Sequence, residues 1–180
     1  MAGFLGELGA AVIDADKIIH ELYTPGAEGF QQVVAIFGPG IIDAAGNIDR
    51  PKLANIIFAD KVARAKLDAA VHPLVAQQIQ TQLAELRRAH APIVVVEVPL
   101  LIEAKLTSLV DEIWVTTAPR EVVFRRLSRK CAMPYEAVLA RIHAQLPVRE
   151  QVQYATRIIN TDTTVEHLKA KIHRLWKKIT

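Results

Sequence analysis

The 180-residue chain carries 22 Lys and Arg against 19 Asp and Glu, a formal charge of +3, too slight to argue for a nucleic-acid partner. Half of it is apolar (51%), which excludes disorder as its main state, and the length fits one domain, residues 1–180, with a real core. A single cysteine, Cys131, excludes an internal disulfide and a cysteine-based metal site. No apolar run approaches the roughly 20 residues of a membrane helix and no signal-peptide pattern opens the chain, so a reducing, cytoplasmic setting away from membranes is expected.

In chain order, Ala11-Val12-Ile13 predicts a short strand, followed at once by Asp14-Ala15-Asp16. From about Pro25 to Leu67 no strand is evident; this stretch predicts a helical insertion with turns at Phe37-Gly38-Pro39-Gly40 and Ala45-Gly46-Asn47. His72 to Arg88 predicts a helix with Val75, Ile79, Leu83 and Leu86 on one face. Ile93 to Val98 is a β-branched run stopped by Pro99, as expected of a buried parallel strand. Ile113-Trp114-Val115 predicts a third strand. Helices follow from Pro119 to Arg129 and from Pro134 to Gln145, with proline suited to each first turn. Arg157-Ile158-Ile159 predicts the last strand. Thr163 or Thr164 caps a final helix whose stripe is Leu168, Ile172, Leu175 and Ile179. Strands alternating with helices predict an α/β domain with a parallel sheet. The lysines and arginines of the final helix are accounted for as the solvated face of a packed amphipathic helix, without a nucleic-acid partner.

Three sets of residues carry candidate chemistry. Asp14 and Asp16 follow a strand end, where open α/β sheets bind ligands; a carboxylate there takes a proton from a hydroxyl or holds Mg²⁺ through water. Equally, Asp16 serves as N-cap of a helix beginning at Lys17. Arg125, Arg126 and Arg129 share one helix, and arginine suits the charge spread over a phosphoryl group in transfer; a solvated basic face is the plainer reading. Arg50 falls in a loop, free for a phosphate or a surface acid. Arg141 and Gln145 stand one helical turn apart. Glu97, near a strand end, suits either Mg²⁺ or a rim salt bridge. His20, His90, His143, His167 and His173 show no metal-ligand spacing and read as surface or structural.

The run Val12 to Leu22 (Val-Ile-Asp-Ala-Asp-Lys-Ile-Ile-His-Glu-Leu), then Pro25-Gly26, resembles a segment of the dephospho-coenzyme A kinases, a family of P-loop kinases. The likeness continues through Phe37-Gly38, Gly46 to Leu53, Ile57-Phe58, His72-Pro73-Leu74, Val98 to Glu103, and Ala140-Arg141-Ile142 with Gln145. Each string is weak alone; their order and spacing together are specific and cover essentially the whole chain. The resemblance implies a three-layer P-loop kinase-like fold with a substrate-side helical insertion and a lid at about 125–150. It implies transfer of the γ-phosphoryl of ATP, with Mg²⁺, to the ribose 3′-hydroxyl of dephospho-CoA. It further implies Asp16 as general base, with Asp14 as the alternative, and Arg125 and Arg129 as lid arginines on the phosphates. His72, Arg50, Arg141 and Gln145 are implied on the substrate side, and Asn160 near adenine. Lys130 stands where the family often has an acid, and Ile159 where it often has Asp.

Such a kinase needs Gly-x-x-x-x-Gly-Lys-[Ser/Thr] to cradle phosphates on backbone N–H groups and to bring a lysine to them. The 180 residues contain no such string; by the resemblance it would lie immediately upstream of Met1. The expectation is that a longer natural chain supplies the first strand and loop, the alternative being an inactive protein that binds coenzyme A or nucleotide. An in-frame stop codon just upstream of Met1, with no Gly-rich loop encoded, would sink it. The purified 180-residue polypeptide is expected to show negligible ATP-dependent turnover, and a normal rate in a coupled kinase assay would refute that.

Overall fold

In the computed structural model, which describes residues 1–131 and 135–179, short strands are separated by one or more helices or by irregular chain. The side chains of Arg129, Lys130, Cys131, Glu136, Ala137, Ala140 and Arg141 stand outside that description, as does Pro134, the expected start of a helix. The order begins α1 (Ala2–Glu7), β1 (Ala11–Asp14), α2 (Ala15–Leu22), α3 (Glu28–Phe37), α4 (Arg50–Ala59), α5 (Lys61–Arg88) and β2 (Val94–Glu97). It continues with β3 (Trp114–Thr117), α6 (Arg120–Cys131), α7 (Tyr135–Ala144), α8 (Val148–Gln151), β4 (Arg157–Asn160) and α9 (Val165–Trp176). All four strands fall where β-branched runs predicted them, and their pairings are parallel: β1 with β2, and β3 with β4. The chain divides into two units, Ala11–Val98 and Met1–Ala10 with Pro99–Thr180.

The first unit is built on α5. Helices α2, α3 and α4 all pack against it, as do β1 and β2. The helix buries Leu67, Val71, Leu74, Val75 and Ile79. It begins at Lys61, capped by the Asp60 side chain through Val62 N–H at 2.7 Å, eleven residues before the expected start at His72. Pro73 therefore lies inside the helix. Proline there forgoes a hydrogen bond and crowds the preceding turn, a cost of about 3 kcal/mol. Leu67 and Val71, buried in the earlier turns, contribute roughly 1.5–3 kcal/mol each, enough to carry the helix through. Gly29 lets α3 follow α2 closely, since a Cβ at that position would sit 2.7 Å from the Leu22 carbonyl oxygen. The two predicted turns exist. Gly38 and Gly46 take positive φ (80° and 84°), and the Asp43 carboxylate accepts from Ala45 and Asn47 N–H groups at 2.9 Å each.

In the second unit the start of the β3–β4 pair is riveted by side chains. Trp114 and Arg157 are register partners. Glu112 receives Arg157 through Nε and Nη2, both at 2.9 Å, and Trp114 Nε1 at 2.8 Å, while the guanidinium lies 5.6 Å from the Trp114 ring centre. These donors, Arg157 first, hold the Glu112 carboxyl below its ordinary range. Thr164, not Thr163, caps α9 through His167 N–H. Ile172 of the predicted stripe is fully buried, and α9 packs on α1, where Lys169 pairs with Glu7 at 2.9 Å.

Ile79, with no exposed surface, should be the costliest truncation on α5. Ile79→Ala is expected to lower unfolding free energy in urea by about 2–5 kcal/mol; a loss below ~1 kcal/mol would contradict a close-packed spine there.

Candidate active site

Strand β1 stops because Asp14 turns its side chain back on the chain. Asp14 Oδ1 accepts from Asp16 N–H at 2.9 Å and Lys17 N–H at 3.4 Å, so Asp14 is the N-cap and α2 starts at Ala15. This corrects one expectation: Asp16 is not the cap. Asp14 is committed to backbone donors, whereas Asp16 stands exposed in the first helical turn, where a carboxylate suits the helix dipole. Among the described residues no hydrogen bond or ion pair engages the Asp16 carboxylate.

Four residues on, His20 shares the face of Asp16, and Tyr23 follows at the end of α2. Arg50 is not in a loop: it is the first residue of α4, behind the Asp49 cap. Its Nη1 lies 3.2 Å from His20 Nδ1. Tyr23 is half-buried, and its phenol is pushed up to about 12, first by burial; the Arg50 charge opposes the rise and Asp68 adds to it. Asp68 in turn meets Arg64 at 3.6 Å and His72 Nε2 at 3.7 Å. His72 is thus a mid-helix residue on α5 and not a helix start. One polar stripe results in this unit: Asp16, His20, Arg50, Tyr23, Asp68 and His72. Sequence patterns set His20 aside because they sought metal-ligand spacing, and they gave no sign of Tyr23 or Asp68. Glu97, the register partner of Asp14, is exposed at the end of β2.

In the other unit, Arg125 is exposed on α6. Its neighbour Arg126 reaches the carboxyl ends of the strands, donating to Thr161 Oγ1 at 3.2 Å and to the Thr161 carbonyl at 2.7 Å, and Thr161 Oγ1 donates to the Thr117 carbonyl at 3.0 Å. Asn160 ends β4, exposed, with Oδ1 accepting from Asp162 N–H at 2.8 Å. Arg126, given no separate role by the sequence, is thus tied through Thr161 beside Asn160. Gln145 lies just past the end of α7, and its Nε2 donates to the Pro99 carbonyl at 3.3 Å. Glu103 accepts from Leu146 N–H at 2.6 Å and serves that loop. The side chains of Arg129 and Arg141 lie outside the described residues. Among the described residues, no three His, Cys, Asp or Glu converge to hold a metal ion, and no helix is long and apolar enough to cross a membrane.

A model of the dephospho-CoA kinase family matches residues 1–167. The chain belongs to that family. It is 38% identical over 180 residues to a dephospho-CoA kinase of Moorella thermoacetica, covering 99% of this chain and 85% of that one. It is 40% identical over 174 residues to a dephospho-CoA kinase of Geobacter sulfurreducens, covering 97% and 88%. Among solved structures it resembles a crystal structure from Thermus thermophilus at TM-score 0.80 and 28% identity, covering 99% and 90%. It also resembles the dephospho-CoA kinase from Campylobacter jejuni at TM-score 0.69 and 25% identity, covering 98% and 89%. Both the α/β fold with parallel strands and the kinase resemblance of the sequence are borne out.

Tyr23 gives the stripe a measurable signature. Unfolded, its phenol releases a proton near its ordinary value of 10; folded, it keeps the proton to about 12. Stability contributed by the neutral phenol is complete below pH 10 and is lost as pH rises from 10 to 12. Wild type should lose stability over that window relative to Tyr23→Phe in pH-dependent urea melts, and parallel curves would contradict the buried phenol.

Proposed function

We infer that this chain works as a dephospho-CoA kinase, phosphorylating the ribose 3′-hydroxyl of dephospho-CoA with ATP to give CoA, the last step of coenzyme A biosynthesis. Family membership supports the kinase over a binding protein without turnover. The single observation that favours the acceptor assignment is the open carboxylate of Asp16, one helical turn from His20 and the Arg50 guanidinium. In this reading the Asp16 carboxylate takes the 3′-hydroxyl proton while the 3′-oxygen attacks the γ-phosphorus. The bond from the γ-phosphorus to the bridging oxygen breaks, and ADP leaves. Arg50 and, further along the stripe, His72 bind the anionic acceptor. Asp14 acts by capping α2 and so placing Asp16.

On the donor side, Arg125 meets the moving phosphoryl group, Arg129 the ATP phosphates, and Asn160 the adenine, with Arg141 and Gln145 toward the substrate. The tethering of Arg126 beside Asn160 makes it a rival to Arg125. Mg²⁺ would come with the ATP phosphates, to which it binds with few protein ligands; the described residues form no protein cage for it, and none of these steps is assigned to it. The stretch at about 25–67, with α3 and α4, is assigned as the substrate-side insertion of a single kinase domain, 1–180, and about 125–150 as its lid. ATP and dephospho-CoA are small-molecule partners of a cytoplasmic enzyme, without nucleic acid or membrane.

The test reads turnover in the natural polypeptide as its gene encodes it, and binding by calorimetry. Asp16→Asn should lower kcat by about 10²–10⁴-fold while dephospho-CoA affinity changes less than about threefold. Retained turnover would remove Asp16 from the chemistry. Arg125→Ala and Arg126→Ala, compared side by side, decide which arginine acts: the one that does should lose about 10²-fold or more in kcat.

A further inference from the structure

We propose that His20 is a positioning residue: it fixes the Arg50 guanidinium for the acceptor's diphosphate without neutralising it. The inference rests on the assignment of Arg50 to the acceptor made above. Arginine is donor-only and permanently charged, so in the 3.2 Å contact with Arg50 Nη1, His20 Nδ1 is the acceptor. That contact requires a neutral imidazole with its proton on Nε2.

The choice of acceptor matters. A carboxylate in the same place would hold the arginine equally well but cancel its charge and compete with a phosphate for it. An imidazole nitrogen fixes the long side chain and leaves a full positive charge. One N–H of the five is used, and the remaining donors stay open for phosphate oxygens. Holding a flexible arginine in advance removes ordering entropy that binding would otherwise cost.

The site also has a ruler. His20 is one helical turn beyond Asp16 on the same face of α2, about 6 Å along the axis. Arg50 is thereby registered to the helix that carries the proposed base, although it comes from α4. The 3′-oxygen and the 5′-diphosphate of one nucleotide are a single ribose apart, so one acceptor reaches both. Tyr23, at the end of α2, feels the Arg50 charge, which keeps Arg50 along this stripe. Both His20 and Arg50 are exposed, so neither substitution empties the core.

Calorimetry of dephospho-CoA with the natural polypeptide as its gene encodes it tests the proposal. His20→Ala should weaken binding about 3- to 10-fold. His20→Asn should stay near wild type, because its amide oxygen takes the place of Nδ1. In an Arg50→Ala background, His20→Ala should change nothing further. An equal loss in both backgrounds, or a loss in His20→Asn matching that in His20→Ala, would overturn the positioning role. If Arg50→Ala binds as wild type, the Arg50 assignment falls and takes the His20 role with it. If Arg50→Ala binds weakly while His20→Ala binds as wild type, only the His20 role falls.

Discussion

The cap made by Asp14 is the interaction on which the acceptor side depends. Its carboxylate satisfies two backbone N–H groups that would otherwise be orphaned at the start of α2. In doing so it converts a strand into a helix within one residue. The switch from a period of two to one of 3.6 places Asp16, His20 and Tyr23 in their stripe. Had the strand continued, Asp14, Asp16 and His20 would have shared a side, but His20 would have stood about 13 Å from Asp16 instead of about 6 Å. The two acids differ accordingly: Asp14 is committed to structure, and Asp16 stays open, as the proposed base requires.

The spine of the same unit serves that helix. Buried residues of α5 hold α2, α3 and α4 together, and α4 delivers Arg50 at its first residue. The Arg50–His20 contact is therefore a side-chain bond between two helices that a third has already aligned. In the other unit the Glu112–Arg157–Trp114 rivet marks the start of the β3–β4 pair and the Arg126–Thr161–Thr117 chain its end. Asn160 ends, and Arg126 is tied to, a short parallel pair fixed at both ends.

Much of this was legible in the sequence. β-branched runs named the four strands, and the glycine turns at Gly38 and Gly46 were plain from composition. The family strings named the activity, because order and spacing over a whole chain carry more information than any single motif. The failures are specific. His72-Pro73 reads locally as a helix start because proline favours first turns; burial of Leu67 and Val71 outweighs that local preference. The capping role passed from Asp16 to Asp14 because cap position depends on where the strand stops, to the residue. The partners of His20 and Arg126 are not legible in the sequence because they, Arg50 and Thr161, lie 30 and 35 residues away. No local pattern encodes a bond of that kind.

The central claim is that the exposed face of α2, with Arg50, forms the acceptor platform. Titration of the isotopically labelled chain with dephospho-CoA, followed by amide NMR, tests it most directly. The account predicts saturable shifts concentrated at Asp16 to Tyr23 and at Arg50. Saturable shifts that leave these residues unmoved would contradict it.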